Sequence, residues 1–240
     1  MKPNINISLM LFISILFLSS YSVAAELAGA VIDRPGNGAS PVDETANLLI
    51  VGASYAKNWQ IEKIFQHSVI NKGISGSETG SMLERFKADI QETKPRIVII
   101  WGFINDIFRS EPGKLDQKIA KTRDNVTAMI ELCRDSGITP IVATEVTITS
   151  KNTWTEKILG PVGKLLGKES YHEYINKHVI ATNNWLKEYA RENNIHVLDF
   201  EKVLAGESGE RKREYAVDDG SHLSKQAYEA LTKYMHRINI

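Results

Sequence analysis

A doubly wound α/β domain on a mostly parallel sheet of about five strands is predicted by three observations. Short runs rich in Ile and Val alternate with longer amphipathic stretches from about residue 47 onward. Those runs lack polar alternation, which marks strands buried on both faces. Gly and Pro fall between the runs, where helices and strands must change over.

Strands are expected at Asn47–Val51, Ser68–Asn71, Arg96–Trp101, Thr139–Val146 and His196–Phe200. Helices are expected at Ala56–His67, Ser77–Thr93, Lys114–Ser136, Tyr171–Asn194 and Ser224–Ile238. Pro95 precedes the third strand, Gly137 sits where the third helix needs a C-terminal stop, and Ser224 suits an N-cap of the last helix. Right-handed crossovers between parallel strands place functional groups at the strands' carboxyl ends. The stretch Thr147–Ser170, with Trp154, Ile158, Leu159, Val162, Leu165 and Leu166, follows such an end. It reads either as a cover over the site or as a surface excursion packed by its own apolar residues.

The N-terminus has a different character. Lys2, the apolar run Ile7–Leu18 and the small residues Val23-Ala24-Ala25 have the order of a secretory signal peptide, with cleavage expected after Ala25. The run is short for a bilayer span, which needs ~20 apolar residues. Residues 1–25 are therefore expected to be a signal peptide, 26–46 an irregular lead-in rich in Gly and Pro, and 47–240 one domain with a single sizeable core. This order predicts an exported protein, periplasmic or secreted, with no stable membrane anchor after cleavage. Lys plus Arg and Asp plus Glu both total 29, so charge gives no reason to expect nucleic acid. The lone Cys133 lies in an apolar helical pattern and reads as a core thiol. The six histidines show no close ligand spacing, so no metal site is expected. The sequon Asn125-Val126-Thr127 lies on an amphipathic helix pattern and reads as a chance match.

Four places carry possible chemistry. Ser54 follows the first strand, so its hydroxyl stands at a carboxyl end and its N–H near a helix start; it reads as a nucleophile or as an N-cap serine. Asp219 precedes His222 by three residues across a turn containing Gly220. A serine needs an imidazole to take its proton, and the imidazole needs an acceptor on its other nitrogen. Asp219 suits that role, with Asp218 as the rival. Gly73 would present its N–H to the cleft without side-chain obstruction, and Asn105 would offer a neutral amide donor to an oxyanion. Each also fits a structural role, as a turn glycine and a loop cap.

Taken in order, Ser54, Gly73, Asn105 and His222 resemble the four blocks of the SGNH hydrolases, the GDSL-type esterases and lipases. Val69–Gly76, Met82–Phe86, Lys94–Ile100 and Tyr215–Ser224 look like family text as well, and the resemblance runs from about Asn47 to the C-terminus. It implies a flavodoxin-like three-layer sandwich with a five-stranded parallel sheet. It also implies Ser54 as nucleophile, His222 as base and Asp219 as its partner, with Ser54, Gly73 and Asn105 as the oxyanion hole. No metal or organic cofactor is implied.

Two positions depart from the family pattern. Gly52-Ala53-Ser54-Tyr55 stands where Gly-Asp-Ser followed by Leu or Ile is usual. Phe103 occupies the place two before the asparagine that is usually glycine, where it could narrow the acyl pocket, a substrate-binding role, or shift Asn105. The expected activity is cleavage of a carboxylic ester in a small-molecule, lipid or carbohydrate substrate through an acyl-enzyme. Acyl transfer to sugar hydroxyls, or carbohydrate or lipid binding without catalysis, are the alternatives. A nucleotide site is not expected, because no phosphate loop follows the first strand.

Overall fold

The structure, a computed structural model, describes residues 47–111, 113–149, 170–206 and 209–238. The expected signal peptide, the lead-in and most of Thr147–Ser170 lie outside the described residues. The first strand, β1 (Leu48–Gly52), leads directly into a short helix, α1 (Ser54–Asn58). Then come β2 (Lys63–Ile64), β3 (His67–Asn71), α2 (Thr79–Thr93), β4 (Ile97–Trp101), α3 (Ile104–Phe108), α4 (Leu115–Asp135) and β5 (Thr139–Ala143). The chain continues through α5 (Tyr171–Glu192), β6 (His196–Leu198), α6 (Phe200–Leu204), a 3-10 turn at Arg213–Tyr215, and α7 (Lys225–Met235).

The strands form one six-stranded sheet in the order β2-β3-β1-β4-β5-β6. Its five parallel strands are the expected ones; β2 is an additional antiparallel edge strand paired with β3. The central register places Ile50 beside Ile99 and Gly52 beside Trp101. Leu48, Leu49, Ile50, Val51, Val98 and Ile99 are fully buried, as a sheet covered on both faces requires. Each such side chain contributes about 1.5–3 kcal/mol of burial. The right-handed rule puts α2, α4 and α5 on one face and α1 on the other, where α7 joins it. On the first face α2 packs on α4, and Arg123 of α4 lies over the Trp185 ring of α5 at 5.3 Å. On the second, Trp59 Nε1 donates to Thr232 Oγ1 at 3.0 Å, and the Tyr228 hydroxyl to the Tyr55 carbonyl at 3.1 Å.

The expected helix Ala56–His67 is corrected by the structure. After one turn of helix the chain forms a hairpin, with Phe65 and Gln66 both at positive φ between Ile64 and His67. A two-residue turn with two left-handed residues matches the sheet's twist, and it usually carries Asn-Gly. Phe65-Gln66 hides that signature behind an apolar spacing that mimics a helix. Other boundaries move by a few residues, and the fourth and fifth strands stop at Ala143 and Leu198 instead of Val146 and Phe200.

Helix ends follow local chemistry. Gly137 has φ 68°; its N–H donates to Arg134 O at 3.0 Å and the Ile138 N–H to Cys133 O at 2.8 Å, closing α4. Ser170 and Glu173 cap α5 reciprocally, and Ser224 accepts from the Ala227 N–H at 3.3 Å. Cys133 is fully buried, and burial pushes its thiol up to about 12. Asn125 is buried with its amide on Thr79 Oγ1, so the sequon is not presented to solvent.

Candidate active site

Ser54 opens α1 immediately after β1, and it is half-buried. The strand can end this close to β4 because residue 52 is glycine: a Cβ there would lie 2.1 Å from the Trp101 carbonyl oxygen. The β3 loop is held against the same short helix. Asn71 Nδ2 donates to the carbonyls of Ala56 and Trp59 at 2.7 and 3.2 Å, tying off the end of α1. Gly73 sits so close to α1 that a Cβ would fall 2.3 Å from the Lys57 nitrogen. Its N–H donates to Asn71 Oδ1 at 2.9 Å, so this expected oxyanion donor already has an internal acceptor.

Asp219 and His222 occupy a turn closed by the bridge between Ala216 and Leu223. Asp219 Oδ1 accepts from the N–H groups of Ser221 and His222 at 2.8 and 2.9 Å. Its other oxygen, Oδ2, lies 2.5 Å from His222 Nδ1. Burial alone would raise the Asp219 carboxyl, but the His222 ring and those two N–H groups hold it well below the usual carboxylate range. Asp218, the sequence's rival, is exposed and does not bond His222. The imidazole is thereby fixed through Nδ1, which leaves Nε2 for a proton from a nucleophile.

The Ser54 hydroxyl and the His222 ring are not joined by a hydrogen bond among the described residues; their backbones are linked through Tyr55. The Tyr55 hydroxyl donates to the Ser221 carbonyl at 2.6 Å. Burial raises the Tyr55 phenol far above its ordinary value, so it stays protonated and donates. Arg211, 3% exposed, donates from the same side to the carbonyls of Gly220 and Ser221.

Asn105 lies in the first turn of α3, half-buried, with Nδ2 donating to the Ser77 carbonyl at 2.9 Å. An amide has two N–H bonds, so one remains for a ligand. Phe103, expected as a wall of the acyl pocket, is 3% exposed, and its ring belongs to the core. Its backbone instead binds a buried carboxylate: the N–H groups of Phe103 and Ile104 donate to Glu145 Oε1 at 2.7 and 3.2 Å. Glu145 thus caps α3 from another element. It is 1% exposed, and burial pushes its carboxyl up to about 7 against the pull of those N–H groups. Asn183 of α5 pins it, donating to the Glu145 carbonyl at 2.8 Å and accepting from its N–H at 2.9 Å. Sequence reasoning missed Glu145, Tyr55 and Arg211. A signal for the first existed, a lone carboxylate inside the apolar run Ile141–Ile148.

A cleft of about 250 Å³ opens beside the turn, lined by Phe108, Ile148, Thr149, Tyr171, His172, Asp219 and Ser221. A larger groove of about 740 Å³ runs along α7 from Trp59 to Arg237 and includes none of the expected site residues. Among the described residues no three His, Cys, Asp or Glu side chains are grouped to hold a metal ion, and no helix is long and apolar enough to cross a membrane.

Comparison with known proteins agrees with this fold. The chain is 32% identical over 84 residues to YqeF, a lipoprotein of Bacillus subtilis, and that stretch spans only 35% of each protein. The fold matches a GDSL-like lipase from Bacteroides thetaiotaomicron with TM-score 0.60 at 19% identity, covering 83% of this chain and 92% of the other. It also matches the esterase EstA from Pseudoalteromonas, with TM-score 0.54 at 18% identity over 80% of this chain and 95% of the other. Axe2, an acetylxylan esterase from Geobacillus stearothermophilus, gives TM-score 0.59 at 16% identity, covering 80% and 93%. Residues 50–230, from within β1 to within α7 and including all the expected site residues, match one family along their length, and the chain belongs to the GDSL-like lipase/acylhydrolase family.

Proposed function

We propose that this protein is an exported serine hydrolase that cleaves carboxylic esters through an acyl-enzyme. The observation that carries the reading is the Asp219 carboxylate seated on His222 Nδ1, in a turn hydrogen-bonded to the residue next to Ser54. In the first half-reaction Ser54 Oγ attacks the ester carbonyl and its proton passes to His222 Nε2. The tetrahedral oxyanion is held by the Ser54 N–H and the free N–H of the Asn105 amide. The Gly73 N–H joins them only by sharing its hydrogen with Asn71 Oδ1. The carbon–oxygen bond to the alcohol then breaks as His222 returns the proton to it. Water repeats the sequence: it gives a proton to His222, attacks the acyl carbon, and Ser54 leaves as the hydroxyl.

Short acyl esters are the proposed substrates. The likeness to an acetylxylan esterase supports acetylated carbohydrate within that class. Export is supported by the signal-like order of Lys2, Ile7–Leu18 and Val23-Ala24-Ala25, and by the lipoprotein relative. The test is hydrolysis of p-nitrophenyl acetate and an acetylated xylo-oligosaccharide by Ser54→Ala. A loss on the order of 10³-fold or more is expected; full activity in that variant overturns the assignment.

A further inference from the structure

We propose that the Arg211 guanidinium and the Tyr55 hydroxyl form a clamp on the Gly220 and Ser221 carbonyls that positions the Asp219–His222 pair. This rests on the hydrolase reading for its catalytic consequence, not for its geometry. The two side chains of the pair are themselves open to solvent, 43% and 50% exposed. Exposed turns of this kind are ordinarily the mobile parts of a fold. A base must nevertheless be held within about half an ångström of its productive position.

What holds this turn lies beneath it. Arg211 Nη1 donates to the Ser221 carbonyl at 3.1 Å and Nη2 to the Gly220 carbonyl. Tyr55 reaches the same Ser221 oxygen at 2.6 Å. The Thr149 N–H adds a bond to the Gly220 carbonyl at 2.9 Å. Arg211 is itself fixed: its N–H donates to Thr147 Oγ1 at 3.0 Å, and its backbone forms an isolated antiparallel bridge with Ala205.

The choice of residue argues for a positioning role. Arg211 is buried with no carboxylate in ion-pair contact among the described residues, and its Nε has no partner. Burying an unpaired guanidinium is costly, and packing alone would be served better by an apolar side chain. A guanidinium supplies what an apolar residue cannot: a planar fork whose charged N–H groups bind two successive carbonyls at once. Tyr55 fits the same account. Leu or Ile, usual after the nucleophile in this family, has no hydroxyl to donate to Ser221. The departure at Tyr55 thus joins the residue after Ser54 to the residue before His222.

The test uses Arg211→Lys, which keeps the charge and loses the fork, and Tyr55→Phe, which keeps the ring and loses the hydroxyl. The first readout is the downfield proton resonance of the His222 Nδ1–Asp219 hydrogen bond, identified by its absence in His222→Gln. It is expected in the parent protein and in Ser54→Ala, and is expected to broaden or vanish in both clamp variants. The second is kcat for p-nitrophenyl acetate per site labelled to completion by a fluorophosphonate. A tenfold or greater fall is expected, with KM within threefold and a double variant less impaired than the product of the singles. If Arg211→Lys does not fold, Tyr55→Phe decides alone. An unchanged resonance in the folded variants overturns the clamp, as does an unchanged kcat per labelled site with only the unfolding midpoint lowered. Hydrolysis retained by Ser54→Ala removes the hydrolase reading instead, while the resonance still judges the clamp.

Discussion

The Tyr55 hydroxyl donates to the Ser221 carbonyl at 2.6 Å, joining residues 166 positions apart. One neighbours the candidate nucleophile, the other the candidate base. Tyr55 follows the carboxyl end of β1, and Ser221 lies in the segment before α7. The bond is shielded, since Tyr55 is 4% exposed and its ring lies 5.8 Å from Trp101. A hydrogen bond in such surroundings holds more firmly than one in water.

Asp219→Asn is expected to lower kcat by roughly 10²–10⁴-fold while leaving the fold intact. The amide still accepts from the Ser221 and His222 N–H groups but no longer stabilises an imidazolium through Nδ1. Steady-state kinetics with an unchanged unfolding midpoint check this. Activity within threefold of the parent would remove Asp219 from the mechanism.

Because Asp219 is held well below the usual carboxylate range, it stays ionised throughout the acid limb of the pH profile. A single proton uptake is therefore expected to switch off kcat/KM, giving a limiting slope of one on logarithmic axes. A slope of two would mean that Asp219 titrates as well.

Asn105→Ala is expected to lower kcat by about 10²–10³-fold, the loss of one oxyanion donor, with a smaller effect on KM. Gly73→Ala tests a different thing. Its Cβ would fall 2.3 Å from Lys57 N, so it displaces α1 and is expected to destabilise the fold by ~1–3 kcal/mol. Chemical denaturation separates the two, since Asn105→Ala should unfold near the parent's midpoint.

Glu145 gives a pH-dependent stability with a definite sign. Its carboxyl is raised from 4.5 to about 7 on folding. Below about 4.5 it is protonated in both states and costs nothing. From there to about 7 the unfolded chain ionises it and the folded protein does not, so rising pH favours unfolding. Above about 7 the loss is complete, on the order of 3 kcal/mol at ~1.4 kcal/mol per pH unit. Glu145→Gln keeps an acceptor for Phe103 and Ile104 and is expected to remove this slope. Unfolding free energies of parent and variant from pH 4 to 8 should converge at the acid end and diverge toward pH 7; parallel curves would contradict it.

The legible parts of this protein were those written in local pattern. Ile97–Trp101 is apolar at every position and became a buried strand. Asp219-Gly220-Ser221-His222 has a spacing that lets a carboxylate turn back onto Nδ1, and it did. The illegible parts depend on contacts between distant segments. The Phe65-Gln66 hairpin adopts left-handed geometry without the residues that usually announce it. In the sequence Arg211 is one charge in a polar stretch, and only the folded turn reveals its fork on Gly220 and Ser221. Phe103 is expected at the pocket wall, whereas its ring is buried in the core and its backbone N–H is bound to Glu145.

The central claim is that Ser54 is the atom to which the acyl group is transferred. Mass spectrometry after reaction with a fluorophosphonate tests it most directly. A single adduct on the peptide containing Ser54, absent from Ser54→Ala, is predicted. An adduct on any other residue, or a protein that hydrolyses esters yet never becomes labelled, would contradict it.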